Sequence, residues 1–238
     1  MDIIFLEEVD STNSYAKQNI KKHDDKTIIV AKRQTSGRGR LQRKWIDLGE
    51  GNIFCSIILK PSSRFNEIYS NLTQYLCVIL CRILEQYNIT PEIKWPNDIL
   101  IDGEKIAGIL CETIMQGENF NGLVLGFGIN LKATIENLAH IDKKATALNL
   151  KTNNNINTQD FLLSIINAFF TDYESFLSNG FISIKEEYIS KSNFLGKEIS
   201  VNILNNVKTG LAKDITNKGE LLLVKNNDII NLTIGEII

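Results

Sequence analysis

Histidine is almost missing from this chain: 238 residues carry two, His23 and His140, far apart and in polar surroundings. A protein zinc site and a histidine-dependent triad therefore lack their parts. Cysteine is sparse as well. Cys55, Cys77, Cys81 and Cys111 include no C-x-x-C pair and each sits among apolar residues, which reads as reduced core thiols in a reducing compartment. No apolar run approaches the ~18 residues a bilayer-spanning helix needs. The first ten residues, "MDIIFLEEVD", are acidic and have no basic n-region or cleavage site, which argues against a signal peptide. The default location is the cytoplasm, with no membrane partner.

Excess positive charge is also absent. Lys and Arg number 26 against 28 Asp and Glu, a net charge of −2, which gives no basis for bulk non-specific nucleic-acid binding. Apolar residues at 43% and charged residues at 23% fit a globular protein long enough to bury a substantial core.

Against this background the stretch "RQTSGRGRLQRKW" stands out. Lys32, Arg33, Arg38, Arg40, Arg43 and Lys44 precede Trp45 with no acidic residue between them. The stretch follows the strand "KTIIVAKRQ" and precedes the strand "GNIFCSIILKP". "IIFLEEV" is a first strand, and Asp10, Ser11 and Thr12 are candidate caps for the short helix after it. Apolar spacing predicts an amphipathic helix from Arg64 to Tyr87. "EIKW" and "ILIDGEKIAGILCETIM" are strands, with Asp102-Gly103 as a two-residue hairpin turn, and "LVLGFGINL" follows the turn in "QGENFNG". Asn157 or Thr158 caps a helix through Phe176, and "FISIKEEYISK" is a last helix. Beyond Ser192 short apolar runs broken by Asn, Gly and Asp predict a small β-barrel or sandwich of SH3-like size. The expected architecture is α+β: a mixed, largely antiparallel sheet with packed helices over 1–191, then a small all-β domain over 192–238.

Generic explanations of the basic loop fail on the letters. No stretch supplies the Walker pattern G-x-x-x-x-G-K-[ST], and "GRGRLQ" and "GFGINL" both miss the last glycine of G-x-G-x-x-G. An anion site fits better. Gly37 and Gly39 would let the backbone turn and approach a ligand closely, while Arg38, Arg40, Arg43 and Lys44 supply donors suited to carboxylate or phosphate. Trp45 would stack on a purine or pin the loop to the core. A second polar cluster, Lys94, Asn97 and Asp98 in "KWPNDIL", lies at a strand-to-turn junction, and Lys105 precedes the small residues Ala107 and Gly108.

Together "STN" (Ser11 to Asn13), "Q-x-x-GRGR-x-x-R-x-W" (Gln34 to Trp45), "KWPND" (Lys94 to Asp98), "KIAGIL" (Lys105 to Leu110) and "GFGIN" (Gly126 to Asn130) resemble, in order and spacing, the motifs of biotin protein ligases. The resemblance covers nearly the whole chain. It implies the fold of class II synthetases and biotin/lipoate ligases, with ATP and Mg²⁺ carried by the nucleotide, biotin as substrate and no protein metal site. Biotin carboxylate attacks the α-phosphorus of ATP, and a lysine of a biotin carboxyl carrier protein then takes the biotinyl group from biotinyl-5′-AMP. Lys105 and Arg40 are implied as catalytic. Ser11, Thr12, Asn13, Gln34, Gly37, Arg38, Gly39, Arg40, Lys105, Gly108, Gly126 and Gly128 are implied to line the biotin site. Arg40, Arg43, Trp45, Asn52, Lys94, Asn97, Asp98 and Asn130 are implied for ATP and adenylate. The resemblance leaves room for a homodimer. Because it starts near Met1, a ligase without a DNA-reading repressor domain, and with no nucleic-acid partner, is expected.

One position departs from the pattern. Gln42 stands where the family usually has glycine, and a requirement for positive φ there would cost about 1 kcal/mol or more. Competing readings are a lipoate ligase, which lacks a reason for the ureido-directed "STN" and Gln34, a nucleic-acid-binding module, and a non-catalytic biotin sensor.

Overall fold

Alternating apolar residues become strands here, and the 3.6-residue spacings become helices. The computed structural model describes residues 2–62, 64–226 and 228–238. In chain order the elements are β1 (Ile3–Val9), α1 (Thr12–Gln18), β2 (Ile28–Gln34), β3 (Ile53–Leu59), α2 (Leu72–Glu85), β4 (Glu92–Lys94) and β5 (Asp98–Ile101). They continue as β6 (Glu104–Gln116), β7 (Asn119–Ile129), α3 (Ile135–Ala139), α4 (Thr158–Thr171), α5 (Tyr173–Asn179) and α6 (Lys185–Ser190). β8 (Glu198–Ile203), β9 (Asn206–Ile215), β10 (Leu221–Lys225), β11 (Asp228–Leu232) and β12 (Glu236–Ile237) complete the chain. The chain forms two compact units, residues 1–67 with 103–164, and residues 68–102 with 165–238.

In the first unit five strands lie in the order β1-β2-β3-β7-β6. Only β1–β2 of these pairs is parallel; β2–β3, β3–β7 and β7–β6 are antiparallel, so the sheet is mixed and largely antiparallel. Gly126 lies opposite Ser56 on one side and Leu110 on the other, and Gly128 lies between Phe54 and Gly108. Because side chains alternate with a period of two, Ser56, Gly126, Gly128, Gly108 and Glu112 share one sheet face. Ala16 of helix α1 and Ile20 just past its end pack with Ile29, Ile58 and Val124. The helix cap is Ser11, whose side chain accepts from the Ser14 amide.

In the second unit α2 is apolar nearly all round and correspondingly buried from Leu72 to Leu84 on most of its surface. It begins at Leu72 rather than Arg64, and a 3₁₀ turn, Glu67–Asn71, replaces the expected first turns. Ser70 and Asn71 are poor helix formers, and Asn71 Nδ2 instead donates to Gln74 Oε1 at 2.7 Å and to the Lys218 carbonyl at 3.0 Å. Tyr75 stacks on Phe176 with centroids 4.4 Å apart, and its hydroxyl donates to the Phe169 carbonyl at 2.6 Å. The expected helix through Phe176 is two, α4 and α5, broken at Asp172; Gly180, at φ 72°, ends the second. The last helical stretch likewise starts as a 3₁₀ turn, Gly180–Ser183, before α6. β8–β12 form an antiparallel sheet in the order β11-β10-β9-β8-β12, open rather than closed into a barrel among the described residues. Asp102 at φ 52° and Gly103 at φ 75° make the expected two-residue turn between β5 and β6. Among the described residues, no helix is long and apolar enough to cross a membrane.

Candidate active site

The polar end of the site is built from buried side chains that hold one another. Ser11, Thr12 and Asn13 are 2%, 4% and 4% exposed, and Ser56 is wholly buried. Ser56 Oγ lies 2.6 Å from Asn13 Oδ1 and 2.8 Å from Thr12 Oγ1. The Thr12 amide donates to Gln34 Oε1 at 2.8 Å, which leaves Gln34 Nε2 turned toward Gly37. Asn13 Nδ2 donates to the Leu110 carbonyl at 3.2 Å and to Glu112 Oε2 at 3.0 Å. A methyl group on Gly126 would stand 1.9 Å from Asn13 Oδ1, so this strand is glycine because the amide lies directly on it.

At the other end is the basic loop, which the structure folds as a miniature hairpin. Trp45 N–H donates to the Gly37 carbonyl at 2.9 Å, and Gly39 N–H to the Arg43 carbonyl at 2.8 Å. Asp47 ties the returning strand to β2, accepting from Arg33 Nε at 2.7 Å and from the Gln34 amide at 3.0 Å. The glycines do not supply the turn, as their sequence had suggested. Gly39 is extended (φ −115°), and Gly37 is small because the Trp45 carbonyl would lie 2.5 Å from its Cβ. The left-handed residues are Leu41 (φ 52°) and Gln42 (φ 60°) at the tip. The glutamine therefore does stand at a position that favours glycine. Gln42→Gly is expected to favour the closed hairpin by about 1 kcal/mol or less, since relief of strain is partly offset by chain entropy. Slower hydrogen exchange of the Gly39 and Arg43 amides in the variant would be the readout; faster exchange would contradict it.

Between the two ends lies an indole. Trp45 packs on the sheet so closely that a Cβ at Gly128 would meet its Cε2 at 2.5 Å, and one at Gly108 its Cζ3 at 2.9 Å. Lys105 Nζ stands 5.5 Å from the Trp45 ring centroid, and its terminal atoms lie 3.0 Å from where a Gly108 Cβ would be. Among the described residues, no acceptor faces the buried Trp45 Nε1 donor. Arg40 is half-buried, whereas Arg38, Arg43 and Lys44 are exposed.

Asn52 and Asn130 are both buried, and their side chains bond the chain itself. Asn52 Oδ1 accepts from the Leu131 and Lys132 amides at 2.8 and 3.0 Å, and Asn130 Nδ2 donates to the Thr146 carbonyl at 3.0 Å. These amides shape the turn after β7. Lys94, Asn97 and Asp98 belong to the second unit, where Lys94 and Asp98 face each other across the β4–β5 hairpin. Among the described residues, no three His, Cys, Asp or Glu side chains converge in a way that could hold a metal.

Over residues 5–130 the sequence matches the biotin/lipoate A/B protein ligase family. The chain belongs to that family. Residues 194–238 match the biotin protein ligase C terminal domain. Among relatives, the bifunctional ligase/repressor BirA of Bacillus subtilis is 30% identical over 204 residues, 85% of this chain and 63% of its own length. The chain thus spans less than two thirds of that protein. The biotin–[acetyl-CoA-carboxylase] ligase of Paracoccus denitrificans is 25% identical over 92% of each chain. A solved biotin protein ligase from Aquifex aeolicus, in complex with biotin and ATP, superposes with a TM-score of 0.81 at 28% identity, covering 99% of this chain and 97% of that one.

Three residues of this family member escaped the sequence reading. Ser56 lies in the otherwise apolar run "IFCSIIL", Glu112 in "AGILCETIM", and Asp47 just past Trp45. The legible signal for the first two is a polar residue inside an apolar strand, which must find a partner when buried.

Proposed function

We propose that this protein is a biotin protein ligase: it activates biotin with ATP to biotinyl-5′-AMP and transfers the biotinyl group to a lysine of a biotin carboxyl carrier protein. The observation that carries the reading is the pairing, on one sheet face, of a buried hydroxyl-amide cluster with a cation-rich edge, joined by glycine strands. The Thr12–Asn13–Ser56–Gln34 cluster suits a cyclic urea, which has two donors and one acceptor. The glycine floor suits the flat bicycle and acyl chain. Lys105 and Arg40 suit the carboxylate and then the acyl phosphate, with Arg38 and Gly39 lining the loop between them.

The first step brings an anion to a polyanion, so charge repulsion and alignment are its main obstacles. Fixed cations on β6 and the loop offset the first, and the hairpin that holds the loop over the sheet serves the second. Arg43 and Lys44 face outward, where the triphosphate would approach with its Mg²⁺. We assign Lys94, Asn97 and Asp98 to handling phosphate or the incoming lysine. The chemistry falls in residues 1–191, with 192–238 as the appended β domain.

Biotin-dependent exchange of labelled pyrophosphate into ATP tests the activation step. Exchange with biotin and not with lipoate is expected; exchange with lipoate alone would make the protein a lipoate ligase.

The indole offers a second readout. Trp45 lies on the glycine floor that the acyl chain needs, so it must shift when that chain enters. Biotin is expected to change tryptophan emission, and Trp45→Phe to abolish the change while Trp95 remains. An unchanged spectrum of biotin-saturated protein would contradict this use of the floor.

A further inference from the structure

Glu112, on β6, sits at the end of the hydroxyl-amide cluster and holds both α1 and the basic loop. Its Oε1 is 2.7 Å from Lys17 Nζ on α1 and 3.3 Å from Arg38 Nη2 in the basic loop. Its Oε2 accepts from Asn13 Nδ2 at 3.0 Å. The side chain is 16% exposed. Burial alone would raise its pKa. Hydrogen bonds from Lys17 and Asn13, with the charges of Lys17 and Arg38, outweigh that and hold it below the ordinary value.

A carboxylate can only accept, and so can the Leu110 carbonyl, so the Asn13 amide has one orientation: Nδ2 toward both, Oδ1 toward Ser56. Ser56 has one proton, and Asn13 Oδ1 cannot donate, so the 2.6 Å contact takes it. The Thr12 hydroxyl, 2.8 Å from Ser56 Oγ, also lies 3.3 Å from Gln34 Oε1, a second acceptor for its one proton. The Asn13 and Ser56 protons thus both point toward Glu112, and Thr12 Oγ1 and Gln34 Oε1 stand at the far end of the chain.

We propose that Glu112 is a positioning residue: it fixes the hydrogen-bond polarity of the Asn13–Ser56–Thr12 chain so that the pocket presents acceptors to the ring N–H groups of a cyclic urea, and it tethers Arg38 of the basic loop to that pocket. The proposal rests on the biotin ligase reading. Glutamine at this position loses the charge and can donate as well as accept, so of the two groups that orient the Asn13 amide only the Leu110 carbonyl still must accept.

The test compares wild type, Glu112→Gln and Glu112→Asp in pyrophosphate exchange, with biotin and with biotin methylated at a ring nitrogen. Glu112→Gln is expected to raise KM for biotin roughly tenfold, with KM for ATP and kcat at saturating biotin within about twofold. It should also shrink the preference for biotin over the methylated analogue, and Glu112→Asp, which still only accepts, should restore most of that preference. A merely structural role would lower all parameters together. If the glutamine variant fails to fold, Ser56→Ala breaks the same chain and is expected to give the same split. Active wild type with an unchanged biotin KM and analogue preference in the folded variants would overturn this inference alone. Wild type inert with biotin would overturn the ligase reading as well.

Discussion

Replacing Lys105 with alanine is expected to slow formation of biotinyl-5′-AMP by roughly 10²–10³, the cost of losing a fixed donor at developing negative charge. The fold should survive. The residue is held by its backbone, donating to the Lys144 carbonyl at 3.0 Å and accepting from the Thr146 amide at 2.9 Å, and alanine keeps both bonds. Its ammonium meets the Trp45 ring at 5.5 Å, a contact worth about 0.5–1 kcal/mol at most exposed sites, too little to unfold a protein of this size. Single-turnover adenylation at saturating biotin and ATP is the measurement, paired with a thermal melt. A folded variant that releases pyrophosphate at the wild-type rate would remove Lys105 from the chemistry.

Gly126→Ala is expected to damage the other end of the site. The new methyl would occupy the place of Asn13 Oδ1, 1.9 Å away, with Asn13 Cγ at 2.7 Å. That amide cannot swing aside freely, because Glu112, the Leu110 carbonyl and Ser56 each hold it. Displacing it leaves buried polar atoms unpaired, so stability should fall by about 1–3 kcal/mol and biotin affinity by at least about tenfold. ATP affinity should change little, because the strain arises at the ring end. Calorimetric titration of the folded variant with biotin decides it: binding as tight as wild type would mean that Asn13 is not part of the ring pocket.

The chain's letters disclose the floor and the charges of this site better than its hydrogen-bond logic. Gly108, Gly126 and Gly128 are grouped by the resemblance alone, and the β6–β7 register sets Gly108 directly opposite Gly128. What each glycine faces depends on α1 and the loop folding over the sheet, contacts between residues 13 and 126 or 45 and 128 that no local pattern encodes. The departure at Gln42 is legible as a cost if φ is positive there, while the glycine pattern points to Gly37 and Gly39 as the turn. Leu41 and Gln42 take the left-handed conformations, while Gly37 owes its size to a carbonyl eight residues on. Apolar spacing continues smoothly through Asn71 and Asp172, where the helices are broken; at Asn71 side-chain bonds to Gln74 and the Lys218 carbonyl compete with the helix. Asn52 and Asn130, implied for the nucleotide by the resemblance, also hold the turn after β7 through their amides, which no local pattern encodes.

The central claim is that this chain moves biotin onto a carrier lysine, and intact-mass spectrometry tests it most directly. A biotin carboxyl carrier domain would be incubated with the protein, biotin and MgATP, alongside an active ligase as control. The account predicts the mass of one added biotinyl group, located to a single lysine and absent without ATP. An unmodified carrier, when the control modifies it fully, would contradict the account.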